Sequence, residues 1–154
     1  MSLIDNLKKS NILIKPVAKN RWGLLEEMIE LATKNKDIAA EDSEAIKSAL
    51  IEREKSMSTG IGNGVAIPHC STDRVKDIVA VMAICSKGID FDAIDNEPVK
   101  IVILLITPKD KLSQHIKTLA NIAKMMSDAD LREKLVNLKT PDAVLKILKD
   151  YQIQ

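Results

Sequence analysis

The chain has 154 residues, a length that suits one domain with a sizeable core. Its 23 Lys and Arg stand against 22 Asp and Glu, a formal charge of +1, and only Trp22, Phe91 and Tyr151 are aromatic. Neither a basic face for duplex nucleic acid nor a ring platform for single strands is therefore expected. The composition, 45% hydrophobic and 29% charged, is that of a folded globular chain. The longest apolar runs, residues 78–85 and 101–106, fall well short of the ~20 needed to span a bilayer. The N-terminal stretch carries no secretory pattern, and Cys70 and Cys85 make no disulfide framework, so the expected compartment is the cytoplasm.

In chain order, an extended segment is expected over residues 12–17. Leu24, Met28, Leu31 and Ala32 then fall at the spacing of an amphipathic helix, and Ile46, Ala49, Leu50 and Met57 mark a second. Residues 58–64, dense in Ser, Thr, Gly and Asn, read as a flexible loop feeding a short apolar piece, Val65, Ala66 and Ile67, that Pro68 stops. Residues 78–84 and 99–106 are β-branched and apolar almost throughout, which predicts strands covered on both faces. Between them Ile89, Asp90 and Phe91 alternate as a short strand, and Asp95 with Asn96 supplies a turn. Three helices close the chain. The first carries Leu112, Ile116, Leu119, Ala123 and Met126; the second begins at Ser127 with Asp130 completing a capping box; the third has Thr140 as N-cap and Pro141 at its first position. With no repeat or linker in sight, the expectation is a single-domain α/β sandwich, its strand order open.

Three residues invite chemistry. His69 follows Pro68, whose ring fixes its own φ and biases Ile67 to extended backbone, so the imidazole sits on a stiff segment. A neutral ring nitrogen can attack phosphorus and form a phosphohistidine; the plainer alternative is a histidine bonded within a turn. His115 comes three residues after Leu112 and seven before Ile122, on or beside the buried stripe of its helix and close to the N-terminal end. There it needs a partner, and the positive helix terminus favours the neutral ring and attracts an anion; alternatively it is a satisfied core histidine. Arg53 comes three residues after Leu50 and seven after Ile46, on the buried side of its helix, unlike Glu52, Glu54 and Lys55. Its fork of donors fits phosphate, and the alternative is a surface pair worth ~0.5 kcal/mol. Gly60, Gly62 and Gly64 precede a strand with no Gly-Lys-Ser/Thr after them, which speaks against a nucleotide loop. Adjacent His69 and Cys70 lack the spacing of a metal site, so neither metal nor cofactor is expected.

Arg53-Glu54-Lys55, the run Ser58-Thr59-Gly60-Ile61-Gly62-Asn63-Gly64-Val65-Ala66-Ile67-Pro68-His69, the run Gly88-Ile89-Asp90-Phe91-Asp92-Ala93-Ile94-Asp95, Glu97-Pro98-Val99, and His115 followed by Leu119-Ala120 together resemble the enzyme IIA domain of the mannitol/fructose class (type 2) of the bacterial phosphotransferase system. The nitrogen-regulatory IIA proteins are the most similar subgroup, with fructose-type carriers next. The resemblance covers nearly the whole chain and implies one IIA domain over residues 1–154, with a mixed, mainly parallel sheet between helices. It implies that His69 accepts phosphate from the phosphocarrier HPr, or its nitrogen-branch counterpart, and passes it to a IIB domain or uses it as a regulatory signal. A purely regulatory role without sugar transfer is the alternative. It further implies that Arg53 neutralises the phosphohistidine and that His115 hydrogen-bonds at the site. Cys70 stands where the family usually has glycine, a side chain beside the nucleophile expected to bear on rate and partner choice. The sequence ends at Gln154 without IIB or membrane IIC domains, which suggests a free carrier or regulator.

Overall fold

The structure, a computed structural model, describes residues 2–153. A short strand, β1 (Ile12–Ile14), is followed by α1 (Arg21–Lys34), which starts where the Asn20 side chain accepts from the Gly23 N–H at 2.8 Å. After α2 (Ser43–Ser56) come three short strands, β2 (Gly60–Gly62), β3 (Val65–Ala66) and β4 (His69–Thr72). Two long ones follow, β5 (Val79–Ile89) and β6 (Val99–Pro108), and then α3 (Leu112–Met126), α4 (Ala129–Val136) and α5 (Pro141–Ile153).

The strands make one sheet in the order β1-β5-β6-β3-β2, with β4 also beside β6. The pairs β1/β5, β3/β6 and β4/β6 are parallel, whereas β5/β6 and β2/β3 are antiparallel, giving the mixed, mainly parallel sheet expected. Because side chains alternate along a strand, β5 and β6 feed two separate cores. Val81, Ala83, Val102 and Leu104 face α1 and α2, where Leu24, Met28, Ile46 and Leu50 are fully buried. Ala80, Met82, Ile103 and Leu105 face the other way, toward Ile122, Leu135, Val144 and Leu148 of the last three helices. The apolar runs of the sequence are continuous because both faces of the sheet are covered.

Five local expectations are corrected. Residues 58–64 are a β-hairpin, not a flexible loop: Asn63 and Gly64 both adopt positive φ (57° and 77°), the pair of left-handed residues that a tight two-residue turn demands. Ile89, Asp90 and Phe91 form no separate strand; Ile89 is the end of β5, rejoining Val99 after a register shift, and the chain leaves the sheet at Asp90. On α3 the buried face is His115, Thr118, Ile122, Met125 and Met126, while Leu112 and Ile116 are 61% and 57% exposed, so the stripe lies rotated from that marked by the leucines. The α4 cap is Asp128, whose Oδ1 accepts from the Asp130 and Leu131 N–H groups, one position beyond Ser127. Met57 likewise lies past the end of α2 and is 70% exposed.

The register shift in β5 depends on Gly88, at φ 80° and so close to Pro98 that an added Cβ would lie 2.8 Å from the proline Cβ. Gly88→Ala is expected to cost about 2 kcal/mol through combined backbone strain and overpacking, read as a lower urea midpoint at unchanged slope.

Candidate functional site

The site begins with how β6 holds its neighbour. Val65 pairs with Ile101, Ala66 with Val102, His69 with Leu105 and Cys70 with Ile106, the same offset on either side of Pro68. Residues 65–72 are thus one strand interrupted at a residue that has no N–H to give. Ile67 donates its N–H to the Thr59 carbonyl at 3.0 Å, and the Pro68 carbonyl accepts from Leu105 N–H at 2.9 Å, so the backbone is tied on both sides just before His69.

The half-buried His69 ring is fixed by one bond, Nδ1 to the Ile67 carbonyl at 2.7 Å. A carbonyl oxygen can only accept, so Nδ1 carries the proton and the Nε2 lone pair is left free. Burial is the main cause that lowers the pKa of His69; the bond to the Ile67 carbonyl opposes it, the positive Arg53 adds to the lowering and Glu54 works against it. The neutral, nucleophilic form is favoured.

The second histidine comes from the opposite direction. His115, 7% exposed in the first turn of α3, has its ring centroid 5.4 Å from that of His69, the planes inclined at 52°. Its Nδ1 lies 2.7 Å from the Thr107 hydroxyl, the partner its burial demands. Burial first, and then the neighbouring His69, lower its pKa as well. Two imidazoles this close resist being charged together.

Arg53 lies in the last turn of α2, where a cation opposes the negative helix end. Its Nη1 donates 2.8 Å to the Met57 carbonyl, which turns the guanidinium back over the helix terminus and leaves further N–H donors unspent. Helical spacing suggested a buried Arg53 beside a solvated Glu54, and the structure reverses the two: Arg53 is partly exposed and Glu54 is 2% exposed. The reason is the chain that follows the helix. The Glu54 carboxylate accepts from the Thr59 N–H at 2.9 Å and from the Thr59 hydroxyl at 2.5 Å, with the Arg21 guanidinium 3.5 Å away. Arg21 donates in turn to the Phe91 carbonyl at 2.9 Å, as does Ser58. Glu54 is therefore the residue that the sequence reading missed, a buried anion that locks the start of the hairpin leading to His69. The one available signal was that an acidic residue five positions before a Thr in a Ser/Thr/Gly stretch can satisfy that stretch's backbone.

Cys70 points away from the site. Strand alternation sends it into the core beneath α1 and α2, 8% exposed, and burial pushes its thiol up to about 11. Its side chain is packed in the core rather than presented on the surface beside His69, so the expected bearing on partner choice finds no support in where the thiol lies.

Both histidines titrate below their ordinary value of about 6.5 in the folded chain. The unfolded chain then binds more protons in the interval between folded and unfolded pKa, so stability is full above the ordinary value and falls as the pH drops through that interval. Paired His69→Gln and His115→Gln variants are expected to flatten this acid-side loss in urea titrations. Glu54→Ala, which orphans the Thr59 N–H, is expected to cost about 2 to 3 kcal/mol, with Glu54→Gln milder because it retains an acceptor.

The chain is similar to known proteins along nearly its whole length. Residues 5–151 match the family described as phosphoenolpyruvate-dependent sugar phosphotransferase system, EIIA 2. A nitrogen regulatory protein of Pseudomonas aeruginosa is 33% identical over 129 residues, 84% of this chain and 82% of the relative. The fructose-specific EIIA component of Haloferax volcanii is 31% identical over 150 residues, 97% and 95% of the two chains. The crystal structure of the nitrogen regulatory protein IIA-Ntr from Neisseria meningitidis superposes with a TM-score of 0.85 at 29% identity, covering 95% of this chain and 98% of that one. With the family match spanning nearly all of its residues, this chain belongs to the EIIA type 2 family of the phosphotransferase system.

Proposed function

We propose that the chain, as one IIA domain over residues 1–154, is a cytoplasmic phosphocarrier that takes a phosphoryl group onto Nε2 of His69. The observation that carries this reading is the Nδ1 bond to the Ile67 carbonyl, which leaves the other ring nitrogen of a half-exposed imidazole unprotonated. The donor is an HPr-type phosphohistidine. As the new bond from Nε2 to phosphorus forms, the donor's N–P bond breaks and its ring nitrogen keeps the electron pair. The Nδ1 proton of His69 stays with the Ile67 carbonyl throughout. Charge spreads over the equatorial oxygens of the transferring group, where the unspent donors of Arg53 stabilise it and the nearby His115 adds a hydrogen bond. Bond formed and bond broken are of one kind, so the step is reversible and needs neither metal nor nucleotide.

Transfer requires a protein partner to bring its group within reach, and the surroundings suit docking. Met57, whose carbonyl holds Arg53, and Leu112 and Ile116, which flank His115 along α3, are all exposed apolar side chains. A IIB domain is the acceptor in a transport role. In a regulatory role, supported by the nitrogen regulatory relatives, the added charge gates the binding of a target protein through the same residues.

Incubation with phosphoenolpyruvate, enzyme I and HPr is expected to place one acid-labile phosphate on His69, located by mass spectrometry. His69→Ala should show none, and labelling at the wild-type level in that variant would refute the assignment. Arg53→Ala should slow acceptance about 100-fold, the usual scale for removing a charge-stabilising donor. Discharge of the phosphorylated chain onto a IIB domain marks the transport role; capture of a target in a single phosphorylation state marks the regulatory one. The acid limb of the acceptance rate should lie below the ordinary imidazole value of about 6.5, because burial lowers the pKa of His69.

A further inference from the structure

Thr107 lies in β6, two residues beyond Leu105, the strand partner of His69, and so on the same face of the sheet. Its side chain is fully buried, and the 2.7 Å contact with Nδ1 of His115 is the only hydrogen bond of its hydroxyl among the described residues. The distance is compatible with either group donating. Accounting for protons separates the two arrangements. Thr107 has one hydroxyl proton, and a neutral imidazole has one N–H. If His115 donated from Nδ1, the buried Thr107 proton would have no acceptor, an unpaired donor in an apolar surrounding. If Thr107 donates, its proton and the Nδ1 lone pair are both satisfied, and the proton of His115 sits on Nε2.

We propose that Thr107 is a positioning residue for phosphoryl transfer: by donating to Nδ1 it holds His115 as the Nε2–H tautomer, so that a hydrogen-bond donor stands ready for the phosphoryl oxygens on His69. The proposal rests on the reading of His69 as the phosphoryl acceptor. It also assigns the two histidines opposite tautomers. On His69 a carbonyl accepts a hydrogen bond from Nδ1–H and leaves Nε2 free as the nucleophile. On His115 a hydroxyl takes up the Nδ1 lone pair and makes Nε2 the donor. The same bond disfavours a second proton on His115, because a charged ring would donate from Nδ1 and strand the threonine proton. His115 therefore remains a neutral donor beside the nucleophile, in keeping with its lowered pKa.

Nitrogen NMR of histidine-labelled protein tests this without any phosphate present. In the wild type, His115 is expected to show a protonated Nε2 and an unprotonated Nδ1; the reverse pattern overturns the proposal and needs no variant. Thr107→Val removes the hydroxyl while keeping the branched shape. It is expected to shift the His115 nitrogens toward a mixture of tautomers and to slow phosphoryl acceptance from HPr about 10-fold, the lower end of what losing a residue that orients a reactive ligand costs. Thr107→Ser should restore both readouts. A Thr107→Val protein with a lower melting temperature, but with unchanged His115 shifts and rate, would reduce Thr107 to a packing residue and overturn the proposal. If even the wild type accepts no phosphate at His69, it is the functional reading that fails, while the nitrogen shifts still decide the tautomer.

Discussion

Residues 65–72 keep a single register along β6 across a proline, and the position of His69 follows from that constraint. A proline inside a central strand breaks the ladder, so sheets confine it to edges. Here β2 pairs only with residues up to Ala66, and the last hydrogen bond on that side is the one from Ile67 to Thr59. At Pro68 the strand has thus become an edge, where the missing N–H has no partner to disappoint. The next residue is the first that can show its side chain to solvent while its backbone remains bound to β6. The buried sheet and the half-buried imidazole of His69 are compatible because the hairpin stops one residue short of the proline.

The electrostatics of the site work by keeping cationic groups from adding up. The positive Arg53 opposes a charge on His69, and His69 and His115 are close enough to each other for protonation of one to oppose protonation of the other. Burial acts in the same direction on both rings. Glu54 opposes it: a fully buried carboxylate within range of His69 raises that pKa slightly and pairs with Arg21. Its main effect is mechanical. It takes the Thr59 N–H and hydroxyl, and Ser58 and Arg21 converge on the Phe91 carbonyl, so the start of the hairpin is clamped to the loop after β5.

Much of this was legible in residue order, and the failures share a cause. The two long strands and the covering helices were readable because burial on both faces leaves an uninterrupted apolar run. His69, Pro68 and Arg53 stood out through residue type and neighbours. What escaped was set by contacts across the fold. Glu54 looked solvated because helical spacing knows only its own helix, whereas the Thr59 backbone covers it. The rotated face of α3 escaped although His115 was read on or beside the buried stripe, because Thr118 also turns inward, its hydroxyl donating to the Gln114 carbonyl at 2.8 Å. The Asn63-Gly64 turn, by contrast, was a local signal, obscured by reading a glycine-rich stretch as flexibility when two left-handed residues make a tight turn rigid. Cys70 was misjudged because adjacency in sequence was taken for adjacency in space, although neighbours on a strand face opposite ways.

If the site passes a phosphoryl group onward, as proposed, it must not hold that group too well. Stabilisation equal in the bound and transferring states lowers the bound state without speeding the step, and a deep well would trap the group. Three features limit that depth. Arg53 spends one of its donors on the Met57 carbonyl, so the fork it would offer a phosphate is incomplete. His115, as a neutral ring, supplies a hydrogen bond and no full charge. His69 is only half-buried, so a group bound there would keep part of its hydration and remain within reach of a protein partner. On that reading the cost of this restraint would fall on affinity for inorganic phosphate, which a carrier loaded by another phosphohistidine would have no need to bind.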